Sequence, residues 1–95
     1  MTDGERQAFK SAAEKWGVEN EVIVALEECA ELTKELCKLL RGRPNVPALI
    51  EEMADTSIMM DSMLVLLNID PAEVEKVREA KVQRLVYRIE NDGPK

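Results

Sequence analysis

Carboxylates set into apolar helical stretches constrain the fold of this chain more than any other feature. Glu28-Cys29-Ala30-Glu31 and Glu52-Met53-Ala54-Asp55 each hold two acids three positions apart, on adjacent turns of one helix face. The second motif lies in a segment rich in Met, Leu, Ile and Ala. Ionised carboxylates in such a setting raise the free energy of the folded state unless something cationic neutralises them. The chain therefore calls for a fold in which helices carry these acids to a shared cation, with Mg²⁺ the natural candidate.

The punctuation of the sequence predicts the helices. Thr2-Asp3-Gly4-Glu5 reads as a capping box opening a first helix that ends near Trp16-Gly17. A second helix is expected from about Val18 to Arg41, with Gly42 closing it. Arg43-Pro44-Asn45-Val46-Pro47 reads as a loop, with Asn45 capping a third helix that runs to about Leu67. Asp70-Pro71-Ala72-Glu73 combines an N-cap, a first-turn proline and a first-turn acid. It starts a fourth helix that continues to about Glu90, and Asn91-Asp92-Gly93-Pro94 ends it. No strand-like alternation competes. The expectation is an all-α chain of four helices, with an antiparallel central pair joined by a short loop, assembling into an oligomeric bundle. With 95 residues there is room for one domain, 1–95, of which 91–95 form a short tail.

Composition removes whole classes of function. The 19 acidic and 13 basic residues leave a formal charge of −6, which disfavours nucleic acid as a partner. A small phosphorylated ligand stays open, because a metal can bridge like charges. No apolar run is long enough for a membrane span, and Met1 to Lys10 lacks the apolar stretch of a signal peptide. Cys29 and Cys37 sit two helical turns apart, about 12 Å along the axis, too far for an intrachain disulfide. A cytoplasmic location follows as the default reading. Histidine is absent, which excludes Ser-His-Asp and Cys-His catalysis, His-bearing zinc sites and the Glu-x-x-His ligation of di-iron bundles. A metal here must be held by oxygen, which points to Mg²⁺ or Mn²⁺.

Helical projection assigns faces. In the second helix Val22, Ala25, Leu26, Cys29, Leu32, Leu36 and Leu40 form the apolar face; Glu21, Glu28 and Glu35 recur at heptad spacing along its edge, with Glu31 on the same flank. In the third helix Glu52 and Asp55 share the stripe of Met59, Met63 and Leu66 and are expected to face inward. Glu27 and Glu51 point further round. Lys34, Lys38, Arg41 and Arg43 read as solvated partners of nearby acids. Lys81, Arg84 and Arg88 recur at roughly helical spacing, as either a phosphate-facing stripe or ion-pair partners for Glu73 to Glu79. Phe9, Trp16 and Tyr87, the only aromatics, are read as core, and Met53, Met59, Met60 and Met63 as adaptable core or interface packing.

Glu-x-x-Glu by itself is what any solvated helix face shows; two such motifs on the inner edges of consecutive helices are a stronger signal. Glu27-Glu28-Cys29-Ala30-Glu31-Leu32, followed by Glu51-Glu52-Met53-Ala54-Asp55 and Ile58-Met59-Met60, resembles the all-α nucleoside triphosphate pyrophosphohydrolases of the MazG type. That family shows E-E-x-x-E, a variable spacer and E-x-x-D, and the spacer here, Leu32 to Glu51, falls within its range. Trp16-Gly17 and Lys81-Val82-Gln83-Arg84-Leu85 also resemble small members, so the likeness runs from about Trp16 to Ile89. Small relatives often carry Gln where this chain has Glu21.

The resemblance implies that Glu28, Glu31, Glu52 and Asp55 are the catalytic Mg²⁺ ligands and that Lys81 and Arg84 contact the triphosphate. It implies Mg²⁺-dependent hydrolysis of ribo- or deoxynucleoside triphosphates to monophosphate and pyrophosphate, a nucleotide-pool housekeeping role. A chain this small hardly encloses a nucleotide alone, so a homodimer or homotetramer is expected. The rival expectation is a non-enzymatic helical interaction module whose acids merely solvate a bundle surface.

Overall fold

The structure, a computed structural model, describes residues 1–91 and 93, and its regular structure is entirely helical. The elements are α1 (Asp3–Trp16), α2 (Val18–Leu40), α3 (Val46–Leu66) and α4 (Pro71–Asn91). Among the described residues there is no strand. Of the expected terminal stop, Asp92 and Pro94 lie outside the described residues, as does Lys95 of the expected tail.

Local chemistry sets the boundaries. The Thr2 hydroxyl accepts from the Glu5 backbone N–H at 3.1 Å, and the Glu5 carboxylate accepts from the Thr2 N–H at 3.3 Å, a complete capping box. Asn45 Oδ1 caps α3 by accepting from the Ala48 N–H at 3.1 Å, and Asp70 Oδ1 accepts from the Ala72 N–H at 2.9 Å at the head of α4. At the end of α2 the chain turns through Gly42, whose φ of 74° is open to glycine without a Cβ penalty. The Arg43 N–H then donates back to the Lys38 carbonyl at 3.0 Å and the Gly42 N–H to the Leu39 carbonyl at 3.1 Å, the Schellman pattern. Asn68 takes the same left-handed position, φ 55°, after α3, a conformation that asparagine tolerates better than most side chains.

The packing is uneven. α2 and α3 lie against one another most extensively, α1 rests on both, and α4 makes at most a fringe contact with the rest. The radius of gyration is 16.3 Å, whereas a compact domain of this length would have about 12 Å. The chain exposes 7459 Å², roughly 2,000 Å² more than a compact monomer of this mass, for which about 5,500 Å² is typical. Among the described residues, Ala25 and Met59 are the only apolar residues that are buried, each still 7% exposed.

Two sequence expectations are corrected here. The face that α2 buries is the acidic one: Glu21, Ala25 and Glu35 are buried and Glu28 and Leu32 half-buried. Val22, Leu26, Cys29, Leu36 and Leu40, expected inside, are exposed, Leu26 to 65%. The helical phase differs because α3 is the long helix that packs on α2, and it meets α2 on the Glu21–Glu28–Glu35 stripe. The aromatics are not core either. Trp16 and Tyr87 are each 60% exposed, with the Lys15 ammonium 5.5 Å from the Trp16 ring, and Phe9 is half-buried. Of the methionines, Met59 is buried, Met63 half-buried, and Met53 and Met60 exposed.

Candidate metal centre

α2 and α3 bring three of the expected acids together. One carboxylate oxygen each from Glu28, Glu52 and Asp55 lies within 4.8 Å of the others. Glu28 comes from the middle of the buried stripe of α2, and Glu52 and Asp55 from the first half of α3. The Thr56 hydroxyl, one residue past Asp55, donates to the Glu28 backbone carbonyl at 3.5 Å, so the two helices are tied together beside the cluster.

The cluster is graded in exposure. Glu28 and Glu52 are half-buried and Asp55 is exposed, which corrects the expectation that Asp55 faces inward. Asp55 follows Glu52 by three positions, which falls short of a full turn and sets it about 60° round the helix, on the exposed side of the cluster. Glu31 stands off from the other three. Its side chain is half-exposed and its Oε2 lies 4.0 Å from the Lys34 ammonium. Its charge still acts on Glu52, so it borders the cluster without sharing its 4.8 Å spacing.

The electrostatics single out Glu52. Its carboxyl is held above the ordinary glutamate range, first by burial, then by hydrogen bonding with Glu28, and then by the charges of Glu28, Asp55 and Glu31. Two ionised carboxylates are both acceptors, so a bond between Glu28 and Glu52 exists only while one of them keeps a proton. Glu52 Oε2 is shut off from solvent and has no hydrogen-bond donor among the described residues. Such an oxygen is costly to leave unsatisfied, and there are two ways to satisfy it: retain a proton, or accept a cation. The donor set is carboxylate oxygen throughout, the kind that hard divalent ions take.

The remaining site candidates lie elsewhere. Lys81 and Arg84 sit on α4, exposed, and neither makes an ion pair among the described residues. Since α4 hardly touches the other helices, the single chain does not bring them against the acids. None of the ion pairs expected of Lys81, Arg84 and Arg88 with Glu73 to Glu79 forms among the described residues; Arg78 pairs with Glu75 instead, at 3.7 Å. Glu27 and Glu51 are exposed, as their helical phase requires.

Sequence reasoning passed over Glu35. It and Glu21 are each only 6% exposed, deeper than the metal-ligand candidates. Glu35 is neutralised by the Lys38 ammonium at 2.9 Å. The signal was the heptad recurrence of Glu21, Glu28 and Glu35, which marks one stripe of α2; the larger number of apolar residues beside it masked which stripe would meet α3. No protein-family model, characterised protein or solved structure matches this chain.

Proposed function

We propose that the chain is a Mg²⁺-dependent hydrolase that splits nucleoside triphosphates between the α and β phosphates, releasing monophosphate and pyrophosphate, in the cytoplasm. The observation that carries this reading is the meeting of Glu28, Glu52 and Asp55 within 4.8 Å around a solvent-excluded Glu52 oxygen that has no donor. The reaction and the bond cleaved come from the MazG-type resemblance. Its four acids are these three together with Glu31 on their border. The donor set suits Mg²⁺, and Mn²⁺ after it.

Glu28, Glu52 and Asp55 would hold the ion, with Glu31 drawn in from its Lys34 pair as a fourth ligand. Bound Mg²⁺ supplies charge neutralisation for the phosphates and acidifies an attacking water. Glu28, in the cluster, or Glu31, on its border, would accept the proton of the attacking water. Lys81 and Arg84 steady the leaving pyrophosphate from a neighbouring subunit, since α4 of the same chain does not pack on the acids.

Assembly is part of the reading. Helices of 23 and 21 residues joined by the short turn 41–45, and packed along each other, favour an antiparallel central pair. An excess surface of roughly 2,000 Å² is of the size a stable interface buries. The exposed stripe of Val22, Leu26, Leu36 and Leu40 on α2 is a natural place for it, in a homodimer or homotetramer. The same apolar exposure also suits a non-enzymatic assembly module.

Mg²⁺ separates the two. A ligand that binds only the folded state raises the melting temperature, so the hydrolase melts higher with Mg²⁺ and turns over a panel of nucleoside triphosphates to monophosphate and pyrophosphate. Glu52→Ala should abolish both the metal response and turnover. Without metal its melting temperature should hold or rise, because repulsion among the acids is relieved. Near-normal Mg²⁺-dependent turnover by Glu52→Ala would refute the site.

A further inference from the structure

We propose that the basic concavity at the α2–α3 turn, lined by Lys38, Arg41, Arg43 and Asn45, holds the terminal phosphates of the triphosphate, the part that leaves as pyrophosphate. The substrate class rests on the hydrolase reading above; the anion site rests on the geometry of the turn.

Three cationic side chains converge on one hollow in a chain whose net charge is −6. Only one of them has a partner: Lys38 pairs with buried Glu35 at 2.9 Å, which anchors its ammonium. Arg41 and Arg43 are exposed and make no ion pair among the described residues. The backbone holds the group together. The Arg43 N–H bond to the Lys38 carbonyl, 3.0 Å, folds Arg43 back over Lys38, and the left-handed Gly42 between the two arginines makes that reversal. Like charges held at one place repel, and an anion relieves the repulsion. Guanidinium forks match phosphate oxygens two at a time, which a single ammonium cannot do.

The hollow is in register with the acids. Lys38 lies one heptad beyond Glu31 on α2, and Asn45, the residue that caps α3, stands seven positions before Glu52. Seven helical residues rise about 10 Å and drift by only about 20°. The basic hollow therefore continues the flank of the seam that carries the acids, about 10 Å towards the turn. A triphosphate whose reacting end sits at the carboxylates and whose tail points to the turn lies along that flank, within reach of long Lys and Arg side chains. These cations belong to the two helices that carry the acids, whereas Lys81 and Arg84 of the same chain do not approach them.

The test titrates inorganic pyrophosphate and orthophosphate into the full chain in the presence of Mg²⁺, at fixed ionic strength. Wild type is compared with Arg41→Ala/Arg43→Ala and with Lys10→Ala/Lys76→Ala, a control that removes equal charge elsewhere. The arginine variant should weaken pyrophosphate binding at least tenfold and orthophosphate binding much less, and keep the Mg²⁺-induced rise in melting temperature. The control should stay within twofold of wild type. Both arginines are exposed, and Arg41→Gln/Arg43→Gln serves if the alanine pair folds poorly. Unchanged pyrophosphate affinity in the arginine variant, no pyrophosphate binding by wild type, or an equal loss in the control would each overturn the inference. Turnover is read separately. If wild type hydrolyses no triphosphate yet the arginines govern pyrophosphate binding, the anion site stands and the hydrolase reading falls. If wild type turns over triphosphate and the arginine variant keeps its KM, the hydrolase reading stands and the anion site falls.

Discussion

The seam between α2 and α3 and the free face of α4 invert the usual placement of charge. In the seam, glutamates at 21, 28 and 35 are drawn towards the interior while Leu26 and Leu40 of the same helix face solvent. On α4, Val74, Val77, Val82 and Leu85 are exposed alongside Lys81 and Arg84, with no helix of the chain laid over them. Burial of acid is tolerable where a cation stands ready, as Lys38 does for Glu35, or where a proton or metal can be taken up, as at Glu52. Exposure of apolar surface is tolerable where another copy covers it. The seam thus gathers negative charge at Glu28, Glu52 and Asp55, whereas α4 leaves apolar area open to solvent.

The sharpest way to break that contrast lies within the seam. Glu28→Gln should lower Mg²⁺-dependent turnover by more than about 100-fold, because even residues that only orient metal ligands matter by 10- to 100-fold. Glu27→Gln should stay within about twofold, since its neighbour's side chain points about 100° away. Comparable losses in steady-state turnover would mean that the buried stripe of α2 is misassigned.

The second test strikes the apolar side. Leu26→Glu places a charge on the exposed stripe of α2 and should shift the protein to smaller species in sedimentation velocity, given that one buried Leu contributes about 2 kcal/mol. An unaltered distribution of species would show that this stripe is not the interface.

A third test asks whether the two regions meet in the assembly. Lys81→Ala should keep the Mg²⁺-induced thermal shift and lose about tenfold in kcat/KM, the scale of one charge-assisted hydrogen bond. Full efficiency at limiting substrate would leave Lys81 a solvated residue of α4.

The smallest effect concerns protons. The Glu52 carboxyl keeps its proton in the folded chain at pH values where the unfolded chain has lost it. Over that interval the folded state binds more protons, so its stability falls as pH rises through the raised value. The melting temperature of the metal-free protein should decline from mildly acidic to neutral pH. Glu52→Gln should flatten that decline, and saturating Mg²⁺ should offset it. An identical slope in Glu52→Gln, measured by thermal melts across pH, would place the responsible proton elsewhere.

The local chemistry of the chain is legible in its sequence alone. Thr2 with Glu5, Asn45, Asp70 with Pro71, and Gly42 mark helix ends by hydrogen bonds that span two to five residues. A sequence carries such information whatever the rest of the fold does. The grouping of Glu28, Glu52 and Asp55 is also legible, because heptad and i,i+3 spacing mark shared faces and a short turn brings two helices together. What only the tertiary structure decided is which face of α2 meets α3, where α4 goes, and how deeply each acid sits. Periodicity ranks the stripes of a helix by apolar content, but burial depends on which neighbour exists to cover them. Here the chain supplies α3 for the acidic stripe and leaves the apolar one open. That is why Leu26 is exposed, and why Glu35, in sequence one more acid on the edge of the apolar face, lies buried against Lys38.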